Sequence, residues 1–330
     1  MLNSSIRRIV GRKAVLAMIA FAGATVAAGA AARANLSITP TFTSNFVTTS
    51  GSNATYFEGQ IQDAINRVDS YIANNVTVNI TFDAGGGLGA SSSYVSSVTY
   101  NQYLTNLAIN QTPSSYDATA DATLPANNPV NSSWGIATTL PLLRAFGYNV
   151  SPPAGQPDST ISLNLALMAT SSGGLNGSNY SIQSVAAHEI DEVLGIGGTG
   201  STLGGQAIAN TAGPLDLFRY SANGVRSYST SAASSYFSIN GGATDLTNFN
   251  QNSGADYSDW KTGATPQVQD AYGTPGVNTV LGRNELIALD VVGWNLTAAG
   301  SAVEVPEPAT LGMLAIGGIA LLTARRRTRK

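Results

Sequence analysis

The sequence predicts an α+β fold, and three observations predict it. Two segments, VTVNITFDA at 76–84 and ISLNLALM at 161–168, alternate apolar and polar residues, as half-buried strands do. Three others, 55–73, 182–195 and 284–294, repeat their apolar residues at helical spacing. Between 195 and 284 the chain is rich in Gly and Ser, with short apolar pieces such as LDLFRY and SYFSI. That order fits a single domain: a mixed, twisted sheet, helices against it, and an irregular C-terminal half.

In chain order, SITPTF opens a Thr/Ser-rich stretch as a strand. The helix at 55–73 sets Phe57, Ile61, Ala64, Ile65, Val68 and Ile72 on one face, and Asn74-Asn75 stops it. In the strand at 76–84, Val76, Val78, Ile80 and Phe82 share a face. GGGLGASS reads as a loop or bulge, and SYVSSVTYNQYL as a strand running into a short helix. Residues 112–132 read as a surface loop and 138–148 as a helix stopped by Gly147. SPPAGQPDS turns the chain into ISLNLALM, an edge-type strand able to pair with an extended peptide. Ser181 is placed to cap the helix at 182–195, which Gly195, Gly197 and Gly198 end. No internal repeat is present.

The two ends differ from the rest. Arg7, Arg8, Arg12 and Lys13 precede an apolar run and Ala32-Arg33-Ala34, the pattern of a secretory signal peptide (1–34) cut by signal peptidase after Ala34. At the other end, 305–330 reads Val305-Pro306-Glu307-Pro308, then an apolar stretch from Ala309 to Ala324, then Arg325, Arg326, Arg327, Arg329 and Lys330. The stretch is just short of the roughly 20 residues of a membrane-spanning helix. The three parts in this order resemble the PEP-CTERM sorting signal. That resemblance implies a Gram-negative, exopolysaccharide-producing bacterium, transient anchoring in its inner membrane, processing by an exosortase, and a final place outside the cell or in its matrix. The domain between the ends, 35–304, keeps 6 basic and 18 acidic residues, a net charge of −12. Nucleic acid and anionic membranes are poor partners for that balance. No cysteine is present, so packing or a bound metal must hold an exported chain together.

The chemistry concentrates in AAHEIDEVLG, 186–195, which holds the chain's one histidine. On a helix, His188 and Glu192 lie one turn apart on one face, and Glu189 lies about 100° round. Two metal ligands with an intervening glutamate as general base is the arrangement of zinc-protease helices. A carboxylate is a legitimate zinc ligand, so Glu192 can stand where the second histidine of that pattern would be. A lone histidine on an amphipathic helix is more often simply buried, and neighbouring acids are more often a solvated face. Three acids in four residues weigh against both readings in a chain with so few charges.

AAHEIDEVLGIGG resembles the active-site helix of metzincin metalloproteases. It resembles more closely that of PEP-CTERM-associated metalloproteases with the helix HEIxEV(L/M)G, to which VTVNITF, DLFRYS, SYFSINGG and ALDVVGWNL are also similar. The resemblance implies a zincin-like fold and an exported metal-dependent peptidase acting on a peptide or protein substrate, with Glu189 as general base. His188, Glu189 and Gly195 match the metzincin pattern; Gly198 stands where its third histidine would be, and no methionine lies between Met168 and Met313. The third ligand must therefore come from elsewhere. Asp216, in GPLDLFRY, is the candidate, held near the core by Leu215, Leu217 and Phe218. Tyr220 or Tyr228, or else Arg219 or Arg226, are candidates for oxyanion stabilisation. Zn2+ is the expected ion. An oxygen-rich set discriminates less against Mn2+ or Ca2+.

Two other functions fit the same residues. One is a catalytically inactive zincin-fold matrix protein, favoured by the missing histidines. The other is a calcium-stabilised adhesion module, in which Tyr236, Trp260 and Tyr272 would stack on sugars and Asp256 and Asp259 would bind calcium. No full calcium-loop spacing accompanies those acids.

Overall fold

The computed structural model of the chain describes residues 7–10, 13–16, 35–197, 210–228 and 234–303. The expected cleavage site after Ala34 and the expected C-terminal sorting helix and arginine cluster lie outside them. No helix among the described residues is long and apolar enough to cross a membrane.

Strands β1 (Arg7–Val10), β2 (Lys13–Leu16) and β3 (Ser37–Phe42) lead to helices α1 (Ser44–Ser50) and α2 (Ala54–Tyr71). Strands β4 (Thr77–Ala84) and β5 (Gly89–Thr99) follow, then α3 (Tyr100–Asn110), α4 (Ser115–Asp121), β6 (Gly135–Thr139), α5 (Leu140–Ala145), β7 (Ser159–Leu163) and α6 (Ile182–Leu194). The C-terminal half holds β8 (Thr211–Ala212), β9 (Arg219–Ala222), β10 (Val225–Arg226), β11 (Tyr236–Phe237), β12 (Thr247–Asn248), α7 (Arg283–Val292) and α8 (Ala298–Ser301). The content is mixed α+β, as expected.

The main sheet runs β2-β1-β5-β7-β4-β3, with β6 also on β5 and β8 on β6. β3, β4 and β7 are parallel, and β5 is antiparallel to β7. Val78, Ile80 and Phe82 of β4 are fully buried, as their alternation requires, and so are Ile161 and Leu163 of β7. The expected face of α2 (Phe57, Ile61, Ala64, Ile65 and Val68) is buried, and α2 packs on α6. α6 in turn packs on β5 and β7. Covered by helix on one side and sheet on another, it buries Val185, Ala186, Ile190, Val193 and Leu194 among others.

Two expectations are corrected. ISLNLALM is not an edge strand: β7 lies between β4 and β5, and the chain turns into a 3₁₀ turn at Leu165–Leu167. Alternation reports a buried face but not how many neighbours a strand has. β5 is internal too: β7 and β6 pair with one side of it and β1 with the other, over Ser92–Val95. The loop expected at 112–132 holds α4, whose N-terminus is fixed by reciprocal bonds between Ser114 and Asp117.

The C-terminal half forms a second sheet, β10-β9-β11-β12. Trp260, fully buried, stacks on Phe237 with centroids 5.5 Å apart and packs on Phe249 at 5.2 Å.

Candidate metal centre

α6 is fixed at both ends. Ser181 Oγ accepts from Ser184 N at 3.3 Å, and Gly195 ends the helix in the left-handed region at φ 105°. Trp294 Nε1 donates to the Leu194 carbonyl at 2.8 Å. The helix thereby presents His188 and Glu192 together. It also sets Glu189 against β5, where Gly89 leaves the room: a Cβ there would collide with Glu189 Oε1 and lie 2.8 Å from Val185 Cγ1.

Asp259 completes a cluster with His188 and Glu192, whose candidate ligand atoms lie within 4.8 Å of one another. Its position follows from the residue after it. Trp260 is locked into the aromatic cluster; its backbone N–H donates to the Gln269 carbonyl at 2.8 Å, and its indole N–H to Glu285 Oε1 at 3.2 Å. Burying Trp260 therefore delivers Asp259 to the centre.

His188 Nδ1 lies 2.9 Å from the carbonyl oxygen of Val268, which can only accept, so Nδ1 carries a proton. Nε2 then faces Glu192 Oε1 at 3.5 Å and Asp259 Oδ2 at 3.7 Å. Each carboxylate has its other oxygen engaged: Ser91 Oγ donates to Glu192 Oε2 at 2.6 Å, and Gln269 Nε2 donates to Asp259 Oδ1 at 2.9 Å. These are the outer hydrogen bonds that orient metal ligands elsewhere.

A groove of about 590 Å³ opens over the cluster. Gly86–Ser91 line it from β5 and the loop before it, Val185, His188, Glu189 and Glu192 from α6, and residues 253–257, 267, 268 and 270–274 from the C-terminal half. Among the described lining residues there is no Lys or Arg.

The electrostatics follow from burying acids. Burial opposes the imidazolium of His188, but the carboxylates of Asp259, Glu192 and Glu189 outweigh it and raise the pKa well above its usual value. Burial first, then the Glu192 charge, push Glu189 well up. Burial and Glu285 do the same to Asp191. Glu189 and Asp191 are both buried, so the acids of this helix are not a solvated face.

The other candidates lie apart from His188. Asp216 is buried, but its Oδ2 accepts from Gly213 N at 2.8 Å within its own turn, and it is not part of the cluster. Tyr220 is buried beneath the guanidinium of Arg226, 4.7 Å from its ring centroid. Arg226 itself donates to the Thr123 carbonyl. Burial raises the Tyr228 pKa, with Arg226 opposing and Asp216 adding to it. Arg219 is fully buried, stacked 4.3 Å over Phe249, and donates to the Tyr257 carbonyl at 2.7 Å. None of these five lines the groove; Tyr180, Tyr257 and Tyr272 do. Trp260 is too buried to stack on a sugar.

Ser91, Val268 and Gln269 had no signal in the sequence as parts of a site. Asp259 entered the sequence reading only beside Asp256, as a calcium candidate of the adhesion module, and not as a partner of His188.

No curated protein and no solved structure matches the chain. A family model of the PEP-CTERM protein-sorting motif matches residues 304–327. The motif implies processing by an exosortase and marks an exported protein sorted to the cell envelope or surface.

Proposed function

We propose that the chain is an exported metal-dependent peptidase of zincin-like design, with His188, Glu192 and Asp259 as ligands and Glu189 as general base. The observation that carries this reading is the spacing around His188 Nε2. Distances of 3.5 and 3.7 Å to two carboxylate oxygens are too long for N–H···O hydrogen bonds. They are close to the separation of about 3.4 Å between ligand atoms that each lie ~2.0–2.1 Å from one tetrahedral ion. Two other groups compete for this place: a proton on Nε2, which the raised His188 pKa favours, and the Gln269 amide N–H, whose nitrogen lies 3.4 Å from Nε2.

Zinc bound there supplies Lewis acidity and lowers the pKa of water. The protein's own groups do the rest. Ser91, Val268 and Gln269 hold the ligands in place before any ion arrives. Glu189, seated between α6 and the β5 wall, accepts the proton of the attacking water and returns it to the leaving amine. β5 offers a peptide an edge once the expected signal peptide, which contains β1, is removed. The localisation that goes with this reading is the surface or extracellular matrix of a Gram-negative bacterium. The inactive matrix protein is the second reading: the groove has neither an arginine nor a second histidine for an oxyanion among its described lining residues.

Metal content and cleavage of an unfolded protein test the proposal together. The exported protein is expected to hold near-stoichiometric zinc or manganese, lost in His188→Ala and Asp259→Ala. Glu189→Gln should keep the metal and lose turnover by about 10²–10⁴-fold, the usual weight of a general base. Metal retained in wild type with no cleavage at any pH would move the assignment to the inactive protein. Absence of metal from wild type would remove the site itself.

A further inference from the structure

The two carboxylates of the ligand set are each tied at one oxygen by a neutral donor from a distant part of the chain. Ser91, on β5, holds Glu192 Oε2, and Oε1 is the oxygen 3.5 Å from His188 Nε2. Gln269 holds Asp259 Oδ1, and Oδ2 is the oxygen 3.7 Å from Nε2. The Gln269 side chain is fully buried. It has space because residue 197 is glycine: a Cβ there would collide with the amide and lie 2.8 Å from Asp259 Oδ1. Its backbone N–H donates to Glu285 Oε1 at 3.3 Å and its carbonyl accepts from Trp260, so the amide is delivered from a fixed backbone. The amide nitrogen also stands 3.4 Å from His188 Nε2, beside the place an ion would take.

We propose that Ser91 and Gln269 set the metal selectivity of this centre by holding both carboxylate ligands monodentate. The inference rests on the ligand set proposed above. Zinc is satisfied by four short bonds, one oxygen from each carboxylate. Calcium takes six to eight oxygens and draws on bidentate carboxylates. For Asp259 to bind through both oxygens, a divalent cation would have to approach the N–H of Gln269, a donor facing a cation. For Glu192 the second oxygen is already held by a hydroxyl. The pair thus restores discrimination that an oxygen-rich set by itself lacks.

Competitive titration of zinc and calcium into the exported, metal-stripped protein tests this, beside Ser91→Ala and Gln269→Leu, with circular dichroism to compare folding. The zinc-to-calcium affinity ratio is expected to fall by about tenfold or more in each variant, the scale on which outer-sphere partners act. The visible absorption of bound cobalt(II), strong in four-coordination, should weaken in both variants as the coordination number rises. The two positions lie on different segments, so misfolding of one variant leaves the other as the test. Wild type that binds zinc, with the same ratio in the variants, would overturn the proposal and leave the ligand set standing. Wild type that prefers calcium would do the same. Wild type that binds neither ion would overturn both.

Discussion

Gly89 is the residue on which the geometry around the proposed base turns. Its missing side chain lets the Glu189 carboxylate lie against the β5 backbone, where Val185 Cγ1 also approaches. Gly89→Ala must push Glu189 or the strand away. An overpacked site of this kind costs roughly 1–3 kcal/mol. We expect a lower melting temperature, slower cleavage and unchanged metal content, since the substitution touches none of the three ligands. Full turnover in the variant would show that Glu189 does not depend on that contact. Residues of this kind differ in how far sequence reveals them. His188 and Glu192 were legible because a helix converts a four-residue spacing into a shared face. Asp259 was not, because its position depends on Trp260 finding Phe237 and Phe249, partners remote in sequence. Asp216 shows the limit from the other side. Apolar neighbours foretold its burial correctly, but burial does not give direction, and its carboxylate turned to Gly213.

Among the elements, α4 is held to α7 by acids whose titration should be measurable. Ser114 N and Gln111 Nε2 donate to Asp117 at 3.1 and 3.0 Å, and Ser114 Oγ donates to Asp290 Oδ2 at 2.6 Å. Burial, then the charge of Asp290, raise the Asp117 pKa to about 7; burial raises Asp290 to about 6. Both values exceed the ~3.9 of an unfolded aspartate, so over this range the folded chain binds more protons than the unfolded one. The associated stabilisation is complete below about pH 4 and is lost as pH rises to about 7. Melting temperature should therefore fall between about pH 4 and about pH 7. Asp117→Asn, neutral throughout, should show a smaller fall. Below about pH 5 it should be less stable than wild type by about 0.5–1.5 kcal/mol, for the bond from Ser114 N that an amide nitrogen cannot accept. Equal slopes in the two proteins would place the pH dependence elsewhere. Neither α4 nor β6 was read from the sequence as an element. Each is short and takes its order from capping or from pairing with β5, whereas α2 and α6 carry several turns of periodic burial.

Across the whole molecule, the mixed class and the irregular C-terminal half were legible from the order of periodic segments. The sheet order was not, because period two is the same in a central and an edge strand. What the sequence left open most is how the two halves are joined. His188 and Glu192 stand on a helix packed against the main sheet. Asp259 belongs to a segment tied to the second sheet through Trp260. With no cysteine in the chain, no disulfide joins the halves, and the cation proposed above would add a link between them through these three side chains. An ion bound by the folded chain alone stabilises it by RT ln(1 + [L]/Kd), about 4 kcal/mol when free metal exceeds Kd a thousandfold. Chelation should then lower the wild-type melting temperature by on the order of ten degrees. It should also open the segment around Asp259 to protease before the main sheet yields. His188→Ala should melt where chelated wild type melts and should ignore the chelator. Should wild type melt at one temperature with and without chelator, packing alone would hold the halves together, and the centre would have no part in the fold's stability.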